Sequence, residues 1–326
     1  MKSFWKDRNV FVTGAMGFLG SWLAPALVKQ GAQVVVLCRD RIPDSPLLRS
    51  EVFSKVRVVC GDVTDLELML RVLNEYEVTD VIHLAAQALV GTAHRQSLST
   101  FESNIKGTWI LLEAAKELKT VERILIASSD KAYGDHLSLP YREDFELRAT
   151  NPYDVSKACA DMLGQSYAKT YGLPIIITRC GNLYGGGDLN RNRIIPETIH
   201  ATLKKKAIEL RSTGDAVRDY VYVEDAVDAI LHLMAFLPKE HWTGEAFNIS
   251  ADCPVRVTDL VKQILDIMDA THLKPIVRGD AMGEIHKQIL SSEKLKTLTG
   301  WEAGTSLMEG LKKTIEWYRD HDQFNS

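Results

Sequence analysis

Tyr153 and Lys157 stand four residues apart in a stretch, Pro152 to Tyr171, whose pattern predicts one long helix. At that spacing both side chains leave the same helix face, roughly 6 Å apart. A phenol with an ordinary pKa near ~10 is a poor base at neutral pH. An ammonium beside it favours the phenolate, so the pair could take the proton from an alcohol that is being oxidised. Y-x-x-x-K also arises on ordinary solvated helices, and what promotes this pair is its company. Ser128-Ser129-Asp130-Lys131 directly follows a short apolar run, Arg123 to Ala127. There Ser129 offers a hydroxyl that can hold a substrate hydroxyl, while Asp130 and Lys131 offer an acid and a base. The plainer reading of the same four residues is a capped loop with a surface ion pair.

A second constellation is Thr13-Gly14-Ala15-Met16-Gly17-Phe18-Leu19-Gly20, with glycines at spacing G-x-x-G-x-x-G. Small residues let such a turn bring its backbone against a pyrophosphate. A helix N-terminus behind it adds free N–H groups and a positive dipole end. Any tight turn tolerates three glycines; the place of this one between a strand and a helix marks it as a dinucleotide turn. Phe18 and Leu19 are expected to pack under the sheet. At the end of the second strand, Cys38-Arg39-Asp40-Arg41 would meet the adenosine ribose. An acidic residue there suits the free 2′-hydroxyl of NAD, and arginines suit the 2′-phosphate of NADP. Both signals are present; NAD is favoured, with NADP left open. Asp62, in Gly61-Asp62-Val63, is a candidate acceptor for the adenine amino group or, equally, a turn residue.

The elements that must position these groups alternate. Strands are predicted at Asn9–Thr13, Gln33–Cys38, Val56–Cys60, Val81–Leu84, Arg123–Ala127 and Pro174–Thr178. Helices are predicted between them at Gly20–Gln30 (with Gly31 as C-cap), Leu66–Asn74, Ile105–Leu118 and Pro152–Tyr171. Strands this apolar, without alternation, are buried on both faces, as in parallel sheets. Their succession with helices implies an α/β, Rossmann-like doubly wound sheet, which binds ligands beyond the carboxyl ends of its strands. Past Gly181 the rhythm changes. Helices are predicted at Ile195–Lys206, Val221–Met234 (behind a short edge segment), Thr258–Ala270 and Ser306–Asp320. Residues 1–180, completed by roughly 221–250, are read as the dinucleotide-binding domain. Residues 181–220 and 251–326 are read as a smaller substrate-binding cap.

Bulk composition narrows the classes. The 326 residues are 45% hydrophobic and 25% charged, with a net charge of -4, as in a globular domain with a sizeable core. Lys204, Lys205 and Lys206 are the only tight basic cluster and fit a solvated helix end, so no nucleic-acid role is expected. The longest apolar stretch, near Ile230 to Leu237, is too short to span a bilayer, and no secretory signal is visible. The five cysteines, Cys38, Cys60, Cys159, Cys180 and Cys253, contain no C-x-x-C pair. They are read as mostly small core residues of a cytoplasmic protein, with neither a disulfide framework nor a metal site.

Taken together, the motifs resemble the extended short-chain dehydrogenase/reductases that act on nucleotide sugars. The resemblance runs over nearly the whole chain. It rests on Gly14-x-x-Gly17-x-x-Gly20, Leu84-Ala85-Ala86-Gln87, Asn104-Ile105-Lys106-Gly107-Thr108, the Ser129 region and Tyr153-x-x-x-Lys157. It continues through Arg179-Cys180-Gly181-Asn182-Leu183-Tyr184-Gly185 and Arg218-Asp219-Tyr220-Val221-Tyr222-Val223-Glu224-Asp225. Within this group Ser129-Asp130-Lys131-Ala132-Tyr133, and Gly185-Gly186-Gly187-Asp188 leading to Arg193-Ile194-Ile195-Pro196, look most like CDP-glucose 4,6-dehydratases. Arg218-Asp219-Tyr220 is closer to epimerases and dTDP-sugar enzymes, which leaves the nucleotide base open. The resemblance implies a cofactor site formed by Gly14, Gly17, Phe18, Leu19, Gly20, Arg39, Asp40, Asp62, Val63, Leu84, Ala85, Ala86, Tyr153 and Lys157. It implies that Tyr153 deprotonates the sugar C4 hydroxyl, with Ser129 sharing the proton, while hydride leaves C4 for the nicotinamide. Lys131 would then remove the C5 proton and Asp130 protonate the departing C6 hydroxyl. Gln87, Thr92 and Asn182 are candidate substrate contacts, and Arg193 and Arg218 candidate pyrophosphate partners. His286 is a weaker candidate, more in keeping with a surface histidine. The family also implies a homodimer through the helices at 105–118 and 152–171. The rival within the group is a nucleotide-sugar 4-epimerase or decarboxylase, which would not need Asp130 and Lys131 for elimination.

Overall fold

The computed structural model describes residues 1–210, 212–279 and 285–321. Six strands, β1 (Asn9–Thr13), β2 (Gln33–Cys38), β3 (Arg57–Cys60), β4 (Asp80–His83), β5 (Arg123–Ala127) and β6 (Ile175–Cys180), come first. The chain then lays down β7 (Asn182–Tyr184), β8 (Glu209–Leu210) and β9 (Val217–Tyr222) before returning for β10 (Thr243–Ile249). Strands β1–β6 and β10 form one seven-stranded parallel sheet in the order β10-β6-β5-β4-β1-β2-β3. The order reverses between β1 and β4, and there the turn Gly14–Gly17 leaves β1. This switch point is where an open α/β sheet parts to admit a ligand.

Period-two alternation assigns each strand residue to one of two layers. Val10, Val12, Val34 and Val36 face a layer built with Leu23, Leu27, Ile230 and Met234. These last residues come from α1 (Phe18–Lys29) and, later in the chain, from Val223–Phe236. Phe11, Val35 and Leu37 face the other layer, where α2 (Leu66–Glu75) and α3 (Gly107–Glu117) contribute Met69, Val72, Leu111 and Leu112. The catalytic-motif helix α4 (Pro152–Tyr171) lies beside α3, starts at a proline and stops at Gly172 in the left-handed region (φ +70°). The buried pair Asp161–Arg179, bonded through two of the three guanidinium nitrogens at 2.8 and 3.1 Å, ties α4 to β6.

A third apolar cluster lies outside the sheet. It joins Tyr184, Tyr220 and Tyr222 to α5 (Ile194–Leu203), α6 (Val223–Phe236), α7 (Val257–Ile267) and α8 (Leu307–Asp320). β9 pairs with β7, with β11 (Pro254–Arg256) and with the short β13 (Lys287–Gln288); β8 pairs with β12 (Ile276–Val277). Thus α6 and β10 return to the main sheet while the flanking segments build the smaller unit at its carboxyl edge.

Several expectations are corrected. Val221 and Tyr222 belong to β9, whose β-branched and aromatic alternation extends the strand before α6 begins at Val223. The helix expected from Ile105 starts with a π-type turn at Glu102–Lys106. Phe18 does not pack under the sheet. It sits in the first turn of α1, at the edge that the cap covers, and joins the Tyr184–Tyr220–Tyr222 cluster, whereas Leu19 reaches both clusters. Nor are most cysteines core residues: Cys38 and Cys180 are buried, Cys159 is half-buried, and Cys60 and Cys253 are exposed. Lys204, Lys205 and Lys206 are exposed beyond the end of α5. No helix among the described residues is long and apolar enough to cross a membrane.

Candidate active site

At the switch point, Gly14 has φ +73°, and a Cβ there would lie 2.7 Å from the backbone of both Leu84 and Ala85. A Cβ on Gly20 would run into the Gly14 carbonyl. Gly17 is the N-cap of α1 and no side chain caps that first turn, which leaves its first N–H groups for a ligand. These are the features a pyrophosphate needs, so the residues fit a dinucleotide. A cavity of about 370 Å³ continues from this edge, lined by Arg39, Asp62, Thr64, Leu98, Ser99, Glu102 and Ser103. Arg39 and Asp40 form an exposed ion pair at 2.7 Å. One oxygen of Asp62 accepts from both the N–H and the hydroxyl of Thr64, as a turn residue does, even though Asp62 also lines the cavity. Val63 is buried against Gly107.

Two turns end the neighbouring strands. After β4, the Leu84 N–H donates to the Thr13 carbonyl and the Ala85 N–H to the Thr13 hydroxyl. Beyond Ala86, the Gln87 backbone is clamped on both sides by the Asn104 side chain, at 2.6 and 3.2 Å. The Gln87 side chain accepts from the Leu89 N–H, and Thr92 is half-buried on the following short helix. After β5, a 3₁₀ turn (Asp130–Tyr133) begins with Ser129 as its N-cap. The Ser129 hydroxyl donates to Asp130 Oδ1 at 2.9 Å. Asp130 is 2% exposed, and its Oδ2 has no hydrogen-bond partner.

Tyr153 and Lys157 are both buried on α4 at this same edge. Burial pushes the Tyr153 phenol up to about 12, with Asp130 and Asp154 adding to the rise; Arg193 and a hydrogen bond with Ser129 oppose it. The Lys157 ammonium donates to the Ala127 carbonyl at 2.7 Å, and burial pushes it down to about 8. Within the protein Lys157 binds the end of β5, and the charge of Arg193 favours the phenolate. Arg193 itself is paired with buried Asp188 at 3.1 Å. The Lys131 ammonium donates to the Gln288 side-chain carbonyl at 3.1 Å and is only half-buried. Its charge opposes the burial that raises Asp154.

The cap supplies the opposite wall. Asn182 donates to the Asp219 carbonyl at 3.3 Å. Arg218, buried, donates to the carbonyls of Val217 and His286, while His286 itself is exposed.

Two residues not proposed as site residues from the sequence, His83 and Asp219, shape the site. His83, fully enclosed and pushed down to about 3 by burial and by Lys157, is neutral. Its Nδ1 faces the Thr13 hydroxyl at 2.8 Å and its Nε2 the Thr108 hydroxyl at 3.1 Å. Thr108 donates onward to the Asn104 carbonyl, and Asn104 donates to Ser156 in α4. Asp219 is buried, accepts from Ser250, and is raised to about 6 by burial, by Asp252 and by Asp130; its Oδ1 is unpartnered. The available signals were a histidine and an aspartate among the apolar residues of two strands, β4 and β9.

The chain is similar to known proteins in sequence and in fold. The chain is 30% identical to the dTDP-glucose 4,6-dehydratase of Shigella flexneri, over 95% of this chain and 92% of that protein. It is 31% identical to a trifunctional UDP-glucose 4,6-dehydratase/3,5-epimerase/reductase of Arabidopsis thaliana, over 98% of this chain but only 48% of the plant protein. The chain therefore spans about half the length of that relative. Among solved structures, it superposes on the UDP-glucose 4-epimerase of Thermotoga maritima with a TM-score of 0.88 and 29% identity, over 96% of this chain and 99% of that one. A dTDP-glucose 4,6-dehydratase of Streptomyces venezuelae, solved with NAD, gives 0.87 and 27%, over 97% and 98%. The model of the NAD dependent epimerase/dehydratase family matches residues 10–250, from the strand before the glycine turn to the end of the seventh sheet strand, and the chain belongs to that family.

Proposed function

We propose that the chain is a nucleotide-sugar 4,6-dehydratase that converts an NDP-hexose into its 4-keto-6-deoxy form with NAD held at the switch point. The observation that carries this is Asp130: buried beside Tyr153, one oxygen engaged by Ser129 and the other without a protein partner. A buried carboxyl oxygen left unmatched is costly unless a ligand group meets it. A sugar hydroxyl that departs as water is such a group, and a 4-epimerase has no use for an acid there. NAD, when bound, supplies the hydride acceptor and a positive charge next to the phenol.

The protein's own residues supply the rest. Tyr153 takes the C4 hydroxyl proton, with Ser129 orienting that hydroxyl. Arg193 and Ser129 offset part of the burial that holds the phenol protonated. Lys157, whose ammonium donates to the Ala127 carbonyl, grips the nicotinamide ribose. Gly14, Gly17 and Gly20 cradle the pyrophosphate, with Phe18 and Leu19 behind them. Leu84, Ala85 and Ala86 wall the nicotinamide side, and Arg39, Asp40, Asp62 and Val63 surround the adenosine. Gln87, Thr92 and Asn182 line the sugar side, and Arg218 and Arg193 face the substrate pyrophosphate. Asp130 protonates the leaving C6 hydroxyl, and Lys131 removes the C5 proton once it leaves Gln288.

Gln288's hold on Lys131 favours the second reading, a 4-epimerase on the same site. The motifs at 129–133 and 185–196 support CDP-glucose as substrate, while the relatives above are named for UDP- and dTDP-glucose. A second copy of the chain is proposed as partner, and the cytoplasm as location.

The test is turnover of CDP-, dTDP-, GDP- and UDP-hexoses in heavy water. A dehydratase yields a 4-keto-6-deoxy product carrying deuterium at C5, and Asp130→Asn lowers its kcat about 10²–10⁴-fold. An epimer with its 6-hydroxyl intact and no deuterium at C5 overturns the reading in favour of the epimerase.

A further inference from the structure

Cys38 and Cys60 are partners across two adjacent parallel strands: the register of β2 and β3 places them directly side by side. Alternation fixes their faces. Leu37 and Val59 pack together in one layer, so Cys38 and Cys60 project from the opposite face. Cys38 joins Val34 and Val36 there. Strand spacing of ~4.8 Å lies inside the ~4.4–6.8 Å Cα range that a disulfide spans. Burial raises the Cys38 thiol, with the charges of a Cys60 thiolate and of Asp40 adding to the rise and Arg41 opposing it. Access differs sharply between the two. β3 is the sheet's edge strand, and Cys60 is exposed, whereas Cys38 is buried with its S–H directed at the Asp40 carbonyl at 3.4 Å.

We propose that Cys38 and Cys60 form a redox-active dithiol that reacts with small-molecule disulfides and closes to an intrachain disulfide beside the Arg39–Asp62 cavity. The Cys60 thiolate attacks one sulfur of the external disulfide R–S–S–R, forming Cys60–S–S–R and releasing R–S⁻. Cys38 loses its proton to water and attacks the Cys60 sulfur, and the second R–S⁻ leaves. The protein gives up two electrons and two protons, and the external disulfide becomes two thiols. Side-by-side Cβ atoms on parallel strands start near the strand spacing, beyond the ~3.5–4.5 Å of a relaxed bridge. Closure therefore draws the ends of β2 and β3 together and leaves a strained, readily reduced bond. The next residues along each strand carry that movement into the cavity, since Arg39 follows Cys38 and Asp62 lies two past Cys60. The consequence for NAD rests on the cofactor reading above, whereas the disulfide does not.

The experiment treats the full-length chain with glutathione disulfide, alkylates the remaining thiols and maps peptides by mass spectrometry. The expected result is a Cys38–Cys60 linked pair that dithiothreitol reverses, with NAD affinity weakened about ten-fold in the oxidised form. Cys38→Ser should stop at a mixed disulfide on Cys60, and Cys60→Ser should leave Cys38 alkylatable after unfolding. The proposal is overturned if the unmodified chain keeps both thiols, stalls at the Cys60 mixed disulfide, or bridges without any change in NAD affinity. A reduced chain that binds no NAD would sink the cofactor reading alone, because the bridge is read by mass.

Discussion

At the scale of single residues, the site is governed by burial acting on Tyr153 and Lys157 in opposite directions. The phenol rises to about 12 and the ammonium falls to about 8, so each neutral form is favoured. For Lys157 the sign of the stability effect follows directly. The folded chain releases its proton near pH 8 and the unfolded chain near the ordinary 10.5. Between those values the unfolded state holds one more proton, so stability rises with pH and levels off above 10.5. Across that window the gain is of the order of 3 kcal/mol. Lys157→Met removes the titration without removing the stem. The expected outcome is that urea-unfolding free energies of parent and variant converge as pH rises from 8 towards 10.5. Parallel curves would show that Lys157 is solvated in the folded chain. The Tyr153–Lys157 spacing was legible because helical periodicity alone puts the two on one face. Arg193 acting on the phenol was not, because it comes from a loop forty residues away whose path is set by the cap.

At the scale of elements, the strand-and-helix alternation of the first 180 residues could be read directly, since strands buried on both faces are uniformly apolar. The cap was harder to read. β9 mixes charged and aromatic residues, its partners β7, β11 and β13 are short, and its burial depends on distant segments rather than on local pattern. The network from Thr13 through His83, Thr108 and Asn104 to Ser156 was invisible for the same reason: its members touch only after β1, β4, α3 and α4 assemble. Glycines test how well the turn itself was understood. Gly14 and Gly172 both have positive φ, +73° and +70°, but a Cβ on Gly14 meets the backbone of Leu84 and Ala85, while a Cβ on Gly172 meets nothing within 4 Å. Gly172→Ala should therefore cost only the left-handed backbone penalty, about 1 kcal/mol. Gly14→Ala should cost clearly more and abolish NAD retention, because the β1 turn must move off the β4 turn. Urea midpoints and cofactor content after gel filtration check both. Equal costs would mean that the two turns yield more readily than their packing implies.

At the scale of the whole molecule, the site is assembled from a sheet edge and a cap, and α4 spans the distance between the catalytic pair and the surface. Met162 on α4 is 61% exposed, and Trp109 on neighbouring α3 is 38% exposed. A two-fold pairing of α3 and α4 would bury these side chains in a four-helix interface. Met162 lies five residues beyond Lys157, so such a pairing would also brace the helix that carries the catalytic groups. The chain is expected to sediment as a dimer at micromolar concentration, with a Tm that rises as protein concentration rises, because dissociation accompanies unfolding. Met162→Glu places a charge where two copies of α4 would meet; it should give a monomer whose Tm no longer depends on concentration. Tyr153, Lys157, Ser129 and Asp130 all come from one chain, so the monomer should keep turnover within about ten-fold of the parent, its loss appearing in stability. A parent chain that sediments as a monomer, with a concentration-independent Tm, would leave α4 braced by its own chain and would remove the dimer from the account.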